Sequence, residues 1–245
     1  MQLDELCHFC DDYLSINEFS DFCPNGLQVE GRANINHLVT GVTASLELIE
    51  AAIEQNADAI LVHHGYFWKG EAQPLTGYKG KRIKTLMQHD ISLLAYHLPL
   101  DFHPTVGNNA QLGLRMGWLQ TEQLDSLWIG EVSAPCSVDN VLDELGEKID
   151  SNPLLIVGGS NPVHRIAWCT GAAQSYIEQA AEAGVDLFIS GEISEQTVHI
   201  ARELGIHYIA AGHHATERYG VQALGQLIAN RFSISHEYLE IENPV

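Results

Sequence analysis

Basic residues are scarce in this chain. Its 245 residues hold 12 Lys and Arg against 32 Asp and Glu, a formal net charge of −20. Nucleic-acid backbone is bound by cations that displace counterions, so direct DNA binding is disfavoured. Long apolar runs are also missing: no stretch approaches the roughly 20 residues a membrane span needs. The start, Met1-Gln2-Leu3-Asp4-Glu5, lacks the basic opening of a secretory signal, which makes a cytoplasmic protein the expectation. Cysteine is sparse. Cys7, Cys10, Cys23, Cys136 and Cys169 are odd in number and scattered, which argues against a disulfide framework. Cys7-x-x-Cys10 has no second CxxC and no preceding strand. Leu3, Leu6, Cys7, Cys10, Tyr13 and Leu14 instead follow helical spacing, so both thiols read as small buried groups on an amphipathic helix. Low-complexity segments and long linkers are absent.

What is present is an ordinary globular composition, 45% hydrophobic and 18% charged. The few cations are not evenly spread. Lys69, Lys79, Lys81, Arg82 and Lys84 are five of the twelve. They follow closely on the apolar run Ala59-Ile60-Leu61-Val62, which reads as a buried strand and ends in His63-His64.

The chain resembles itself at an offset of about 128 residues. The segment from His37 aligns with that from Arg165. Ile49-Glu50 falls on Ile177-Glu178, Ala52 on Ala180, Glu54 on Glu182 and Asp58 on Asp186. Each copy reads strand, helix, strand, with helices at about 45–56 and 174–183 and the shared Asp at the turn into the second strand. A further helix and strand follow in each, at 83–90 and 91–96, then at 195–204 and 206–211. The first copy carries about 13 extra residues, within the stretch 66–82. Regular β-α-β alternation predicts an α/β fold with mixed, largely parallel sheets flanked by helices. The units are expected at 1–125 and 126–245. Between the copies lie a strand near 128–132, a helix at 138–149 with Ser137 as N-cap, and a strand at 154–157. A last helix is expected at 216–231 and a last strand at 236–241. Residues 158–162, Gly-Gly-Ser-Asn-Pro, read as a turn, because no P-loop Lys-Ser/Thr follows.

Open α/β sheets keep their reactive groups at the carboxyl ends of strands. His63-His64 ends one strand, and the register places the pair on Gly191-Glu192. Asp101 follows a second apolar run and His213-His214 a third, with Glu217 one helical turn on. Such imidazoles and carboxylates suit a metal site, in which neighbouring His63 and His64 could serve different ions of a bridged pair about 3.5–4 Å apart. Asp101 is either a ligand or a turn aspartate. His213 and Glu217, at i and i+4, share one helix face, and Glu217 is either a bridge between ions or a first-turn Glu favoured by the helix dipole. His214 then points away. His97 is a ligand or a group behind Asp101, and His103 belongs to the turn before Pro104. Glu192 is a general acid/base or holds a substrate amine, while Glu195 belongs to the next helix. Asn108 reads as an N-cap. Tyr66-Phe67-Trp68 beside the basic cluster could stack a heterocyclic base while Lys81 and Arg82 neutralise phosphate, or could pack the loop.

Pro24-Asn-Gly-Leu-Gln-Val-Glu-Gly31, Val62-His-His-Gly-Tyr-Phe-Trp-Lys69, Gly107-Asn-Asn109 and Ala211-Gly-His-His-Ala-Thr-Glu217 resemble the YbgI family, the GTP cyclohydrolase 1 type 2 homologues. The resemblance spans nearly the whole chain and is to short bacterial members without a middle insertion. It implies two interlinked α/β units, a dinuclear metal centre between them and a toroidal homohexamer, a trimer of dimers. Carried onto matching positions, the ligands are His63, His64, Asp101, His213 and Glu217. The implied cofactor is two divalent ions, with Zn, Fe, Mn or Ni all compatible with mixed His and carboxylate ligands. GTP cyclohydrolase action is associated with some members, and partner-protein or DNA-damage roles with others. The resulting expectation is a metal-dependent hydrolase of a small phosphorylated, GTP-like substrate, with His97 and Glu192 moving protons. A phosphoesterase or a ring-shaped regulatory protein is the alternative. Imidazoles must be neutral to bind metal, so occupancy is expected to fall below about pH 6.

Overall fold

A computed structural model describes residues 1–160 and 162–245. The turn expected over 158–162 includes Asn161, which lies outside the described residues. Packing divides the chain into unit 1, Met1–Gly107 with Arg218–Glu242, and unit 2, Asn108–Glu217 with Asn243–Val245. The division falls at 107/108 rather than at 125/126. Asn109 accounts for this: its backbone carbonyl accepts from Trp168 Nε1 at 3.0 Å and its Oδ1 from Thr170 N at 3.0 Å, which fastens this stretch to unit 2.

Unit 1 opens with α1 (Leu3–Tyr13) and continues through β1 (Gly26–Val29), β2 (His37–Thr43), α2 (Leu46–Glu54), β3 (Ala59–His64), α3 (Gly77–Gln88), β4 (Ser92–Ala95) and α4 (Leu98–Phe102). Unit 2 contains α5 (Asn108–Met116), β5 (Leu119–Leu124), β6 (Leu127–Cys136), α6 (Val138–Ile149), β7 (Leu154–Ile156), β8 (Val163–Cys169), α7 (Ile177–Glu182), β9 (Leu187–Ser190), α8 (Glu195–Leu204) and β10 (His207–Ala210). Helix α9 (His213–Phe232) starts in unit 2 and ends in unit 1, where β11 (Ser235–Tyr238) follows.

The sheet of unit 1 has the order β1-β4-β3-β2-β11 and is parallel except for β1. The sheet of unit 2 has the order β5-β6-β8-β9-β10-β7. Its central β8, β9 and β10 are parallel, with antiparallel β7 on one side and the antiparallel β5–β6 hairpin on the other. The expected duplication is visible in these orders. Each unit sets a helix and a strand ahead of a β-α-β-α-β run, and that first strand returns antiparallel beside the last.

Alternation explains the core of unit 1. Leu38, Leu61 and Leu94 face one side of the sheet and pack with Leu6 and Cys10 of α1 and Val221, Leu224 and Ile228 of α9. Val39, Ile60 and Leu93 face the other side and pack with Leu48, Ile49 and Ala52 of α2 and Ile83 and Leu86 of α3. Strands covered on both faces read as continuous apolar runs, which is why they were legible in the sequence. Ser45 caps α2 by accepting from Leu48 N at 3.1 Å, and Ser137 caps α6 by accepting from Asn140 N at 3.2 Å. Cys7 and Cys10 are free thiols on α1, and burial raises them, Cys7 to about 11. Among the described residues, no helix is long and apolar enough to cross a membrane.

The shared aspartates fix the strand starts. Asp58 Oδ2 accepts from the backbone N–H groups of Asn36 and His37 at 2.8 and 3.0 Å. Asp186 Oδ2 accepts from those of His164 and Arg165, both at 2.9 Å. The two backbones repeat the pattern as well. Asp58 N donates to His37 O and Asp58 O accepts from Ser92 N; Asp186 N donates to Arg165 O and Asp186 O accepts from His207 N. One residue thus ties three consecutive parallel strands together at their amino ends in each copy. Replacing Asp186 with Ala strands two backbone donors, and a loss of about 2–4 kcal/mol is expected in a urea melt. A loss below about 0.5 kcal/mol would deny the aspartate this role.

Candidate metal centre

With the strand starts tied, the strand ends deliver the functional side chains. His63 and His64 are the last two residues of β3, inside the strand rather than beyond it. His63 is fully buried, and its Nδ1 donates to Tyr96 O at 2.9 Å, just past the end of neighbouring β4. A carbonyl only accepts, so His63 carries its proton on Nδ1 and its lone pair on Nε2. His64 Nδ1 lies 3.1 Å from Thr43 Oγ1, its register partner on β2.

Asp101 sits differently from expectation. It lies in the short helix α4, with Pro99 in the first turn, where proline's fixed φ and missing N–H are tolerated. Asp101 N donates to His97 O at 3.1 Å, which turns the carboxylate back towards β3. Its Oδ1 is 3.4 Å from His63 Nε2, and the residue is buried.

His97 is held by residues that sequence reasoning missed. Its Nδ1 donates to Asp21 Oδ1 at 2.7 Å, and its backbone N donates to Asn25 Oδ1 at 2.7 Å. Asp21 also accepts from Leu98 N, Phe22 N and Asn25 Nδ2. Burial works to raise the Asp21 carboxyl, but the bonds from His97 and Asn25 win and hold it at about 2. The sequence signal was the Asp21-x-Cys23 pair just ahead of Pro24-Asn25, which leads into β1. Donor atoms of His63, His64 and His97 lie within 4.8 Å of one another, as do those of Asp21, Cys23 and His97.

In unit 2, α9 begins at His213, so His213 and Glu217 do share its first turn. His213 Nε2 is 3.0 Å from Glu217 Oε2, and its Nδ1 is 2.7 Å from Glu192 Oε1. Burial opposes the imidazolium, but Glu217 and Glu192 outweigh it and push His213 up to about 9. Glu217 is almost fully buried. Gly171, at φ +68°, makes room for it: a Cβ there would land on Glu217 Oε1. Glu195 belongs to α8, as expected, and pairs with His199. His214 is buried, and its backbone N donates to Val245 O. His103 takes up the turn, where its Nδ1 accepts from Thr105 N and Val106 N.

The aromatic and basic candidates separate. Tyr66 is buried in the core of unit 1, and its hydroxyl donates to Ala44 O at 2.8 Å. Gln28 clamps its backbone from both sides. Tyr66 therefore packs the loop and is not available to stack a base. Trp68 instead reaches the histidines, with its ring edge-on to His97 at 4.9 Å and 6.0 Å from His64. Lys79 is spent on Glu71 at 2.9 Å. Lys81 is exposed on α3, and Arg82 lies over the Tyr78 ring at 5.1 Å.

Clusters of His, Asp and Glu are therefore suited to a metal, and their anchored imidazoles fit that purpose. Residues 1–244 match the model of the family described as Duf34/NIF3 (NGG1p interacting factor 3). The chain belongs to the DUF34/NIF3 family. Its relatives in that family include a protein of Allochromatium vinosum, named a GTP cyclohydrolase 1 type 2 homolog. That protein is 53% identical over 245 residues, covering 98% of this chain and 96% of its own. A Pseudomonas aeruginosa protein of the same name is 51% identical over 248 residues, covering 99% and 98%. Among solved structures, protein ybgI, described as of unknown function, superposes with a TM-score of 0.98 at 44% identity, with both chains fully covered. TTHA1606 of Thermus thermophilus gives 0.92 at 33% identity, again over both full chains.

Two outcomes follow for a DUF34/NIF3 chain built this way. In metal-free protein His213 is protonated at pH 7, so a metal must displace that proton. Affinity should rise about tenfold per pH unit up to about pH 9, well above the pH 6 expected from sequence. The folding linkage runs the other way: this proton stabilises the metal-free fold fully below about pH 6.5 and is lost as pH rises through about 9. Titrations with zinc at pH 7, 8 and 9 check the first sign, and a flat affinity contradicts it. Gly171→Ala should displace the Glu217 carboxylate and weaken metal binding at least tenfold, read by calorimetry.

Proposed function

We propose that this protein is a metal-dependent hydrolase of purine nucleotide-type substrates, with two divalent ions held by His63, His64, Asp101, His213 and Glu217. The observation that carries the reading is the anchoring of ring nitrogens. The Nδ1 atoms of His63 and His213 are fixed by Tyr96 O and Glu192, which directs the opposite nitrogen of each ring to a cation. The name shared by the Allochromatium and Pseudomonas relatives supports the substrate class. Bound divalent ions supply a Lewis acid and a hydroxide source near neutral pH.

The chain's own groups have distinct parts. Glu192 holds His213 through Oε1, while its Oε2 is met by Gln174 Nε2 only at 3.4 Å. That second oxygen accepts and returns the proton of the attacking water. His97 faces other imidazoles, which makes it a donor to a cation before a carrier of protons. Trp68 offers a partly exposed ring to the base, and Lys81 and Arg82 offset phosphate charge. In the reaction, water adds to the imidazole carbon of the purine, the ring opens to a formamide, and a second water releases formate.

Metal-loaded protein given GTP should release formate with a ring-opened pyrimidine, and His63→Ala or Glu217→Ala should cut the rate at least 100-fold. Phosphate release without formate would move the reading to a phosphoesterase. No turnover above the variants would overturn hydrolysis of this substrate class.

A further inference from the structure

Lys79 is a buried cation for which the proposed reaction has no use. It stands on the inner face of α3 with Ile83 and Leu86. Its Nζ lies 2.9 Å from Glu71 Oε2, donates to Ala72 O at 3.2 Å and sits 5.0 Å from the centre of the Phe67 ring. Burial works to raise the Glu71 carboxyl, but Lys79 outweighs it and holds the group below its ordinary range. The same Oε2 accepts from Trp68 N at 3.1 Å, and Glu71 N donates to Trp68 O at 2.9 Å. One ion pair thus closes the turn that carries Trp68.

That turn is strained. Phe67 has φ +66°, in the left-handed region that bulky side chains avoid. Such strain persists only where surrounding contacts over-determine it, and it gathers at ligand-binding sites. A buried ion pair is also a poor staple, because an apolar pair of similar size holds a fold as well or better. Stability therefore explains neither the conformation of Phe67 nor the pairing of Glu71 with Lys79. Both bear on the position of Trp68.

Trp68 is held at its other end too. Its Nε1 donates to Gly65 O at 3.2 Å, which fixes the indole and occupies its one side-chain donor. What remains is the π surface of a partly exposed ring, 4.9 Å from the His97 ring at 80° and 6.0 Å from that of His64. Such a surface selects planar aromatic ligands and is indifferent to sugar and phosphate.

The geometry points to a clamp: Glu71 and Lys79 hold residues 65–72 in a strained turn, so that Trp68 stands as a fixed wall for the heterocyclic base of the substrate. This rests on the proposed nucleotide-type substrate. It makes Trp68 the specificity-determining residue, with Glu71 and Lys79 positioning it.

Calorimetry of the full chain with guanosine 5′-monophosphate and with ribose 5-phosphate tests it. The unmodified protein should prefer the nucleotide about tenfold, and Trp68→Leu should abolish that preference without changing affinity for the sugar phosphate. Glu71→Leu/Lys79→Met should also lose the preference, yet melt no lower than the unmodified chain. Its Trp68 indole N–H should exchange with solvent about tenfold faster. Should that variant fail to fold, Phe67→Gly, which releases the strained φ, takes its place with the same loss of preference and faster exchange expected. A folded variant that keeps the preference overturns the clamp. Loss of preference with a lowered melting temperature in the double variant marks the pair as structural and overturns it too. No preference in the unmodified chain overturns the wall, and formate release then judges the hydrolase by itself. A nucleotide preference without formate release overturns the hydrolase and leaves this inference standing.

Discussion

An imidazole points a lone pair in a fixed direction only when its other nitrogen is tied down. The chemistry of this protein depends on that constraint. The anchors are chemically diverse: a backbone carbonyl for His63, a hydroxyl for His64, and carboxylates for His97 and His213. For His63 and His64 the anchor comes from the scaffold. Parallel strands leave carbonyls and side chains at their carboxyl ends, and a histidine on one strand meets whatever its neighbour exposes there. Tyr96 O is available to His63 because β4 stops at Ala95.

The duplicated scaffold is decorated unequally, and packing explains why. Where the first copy has His63, the second has Gly191. A Cβ at Gly191 would press on Gly171 O and His213 Cα, so no side chain fits at that strand end. The donors of unit 2 therefore come from the first turn of α9, and Glu192, next to Gly191, orients His213. The first copy spends its extra residues on the loop that seats Trp68 against His97. A common device at the amino ends of the strands, Asp58 and Asp186, leaves the carboxyl ends free to diverge.

Residues whose role follows from periodicity were legible in the sequence. The two-faced apolar strands, helices α6 and α8, the N-cap Ser137 and the equivalence of Asp58 with Asp186 were all accessible. Strand β5 was not, because all six of its side chains are exposed and no apolar alternation marks it. Helix α4 escaped because five residues carry too little pattern. Tyr66 and Trp68 look alike in a chain of letters. Only the fold separates the ring sealed against Ala44 from the one facing His97. Asp21 and Asn25 were invisible as partners of His97, since that contact joins residues more than 70 positions apart. The division at 107/108 depends on the bonds of Asn109, which are equally non-local.

The most direct measurement is the tautomer of each histidine in the metal-free protein, read from nitrogen-15 NMR of the imidazole rings at a pH where they are neutral. The account predicts that His63 and His97 carry the proton on Nδ1, bonded to Tyr96 O and the Asp21 carboxylate. Protons on Nε2 of either ring would turn its lone pair away from the cluster and contradict the account at its foundation.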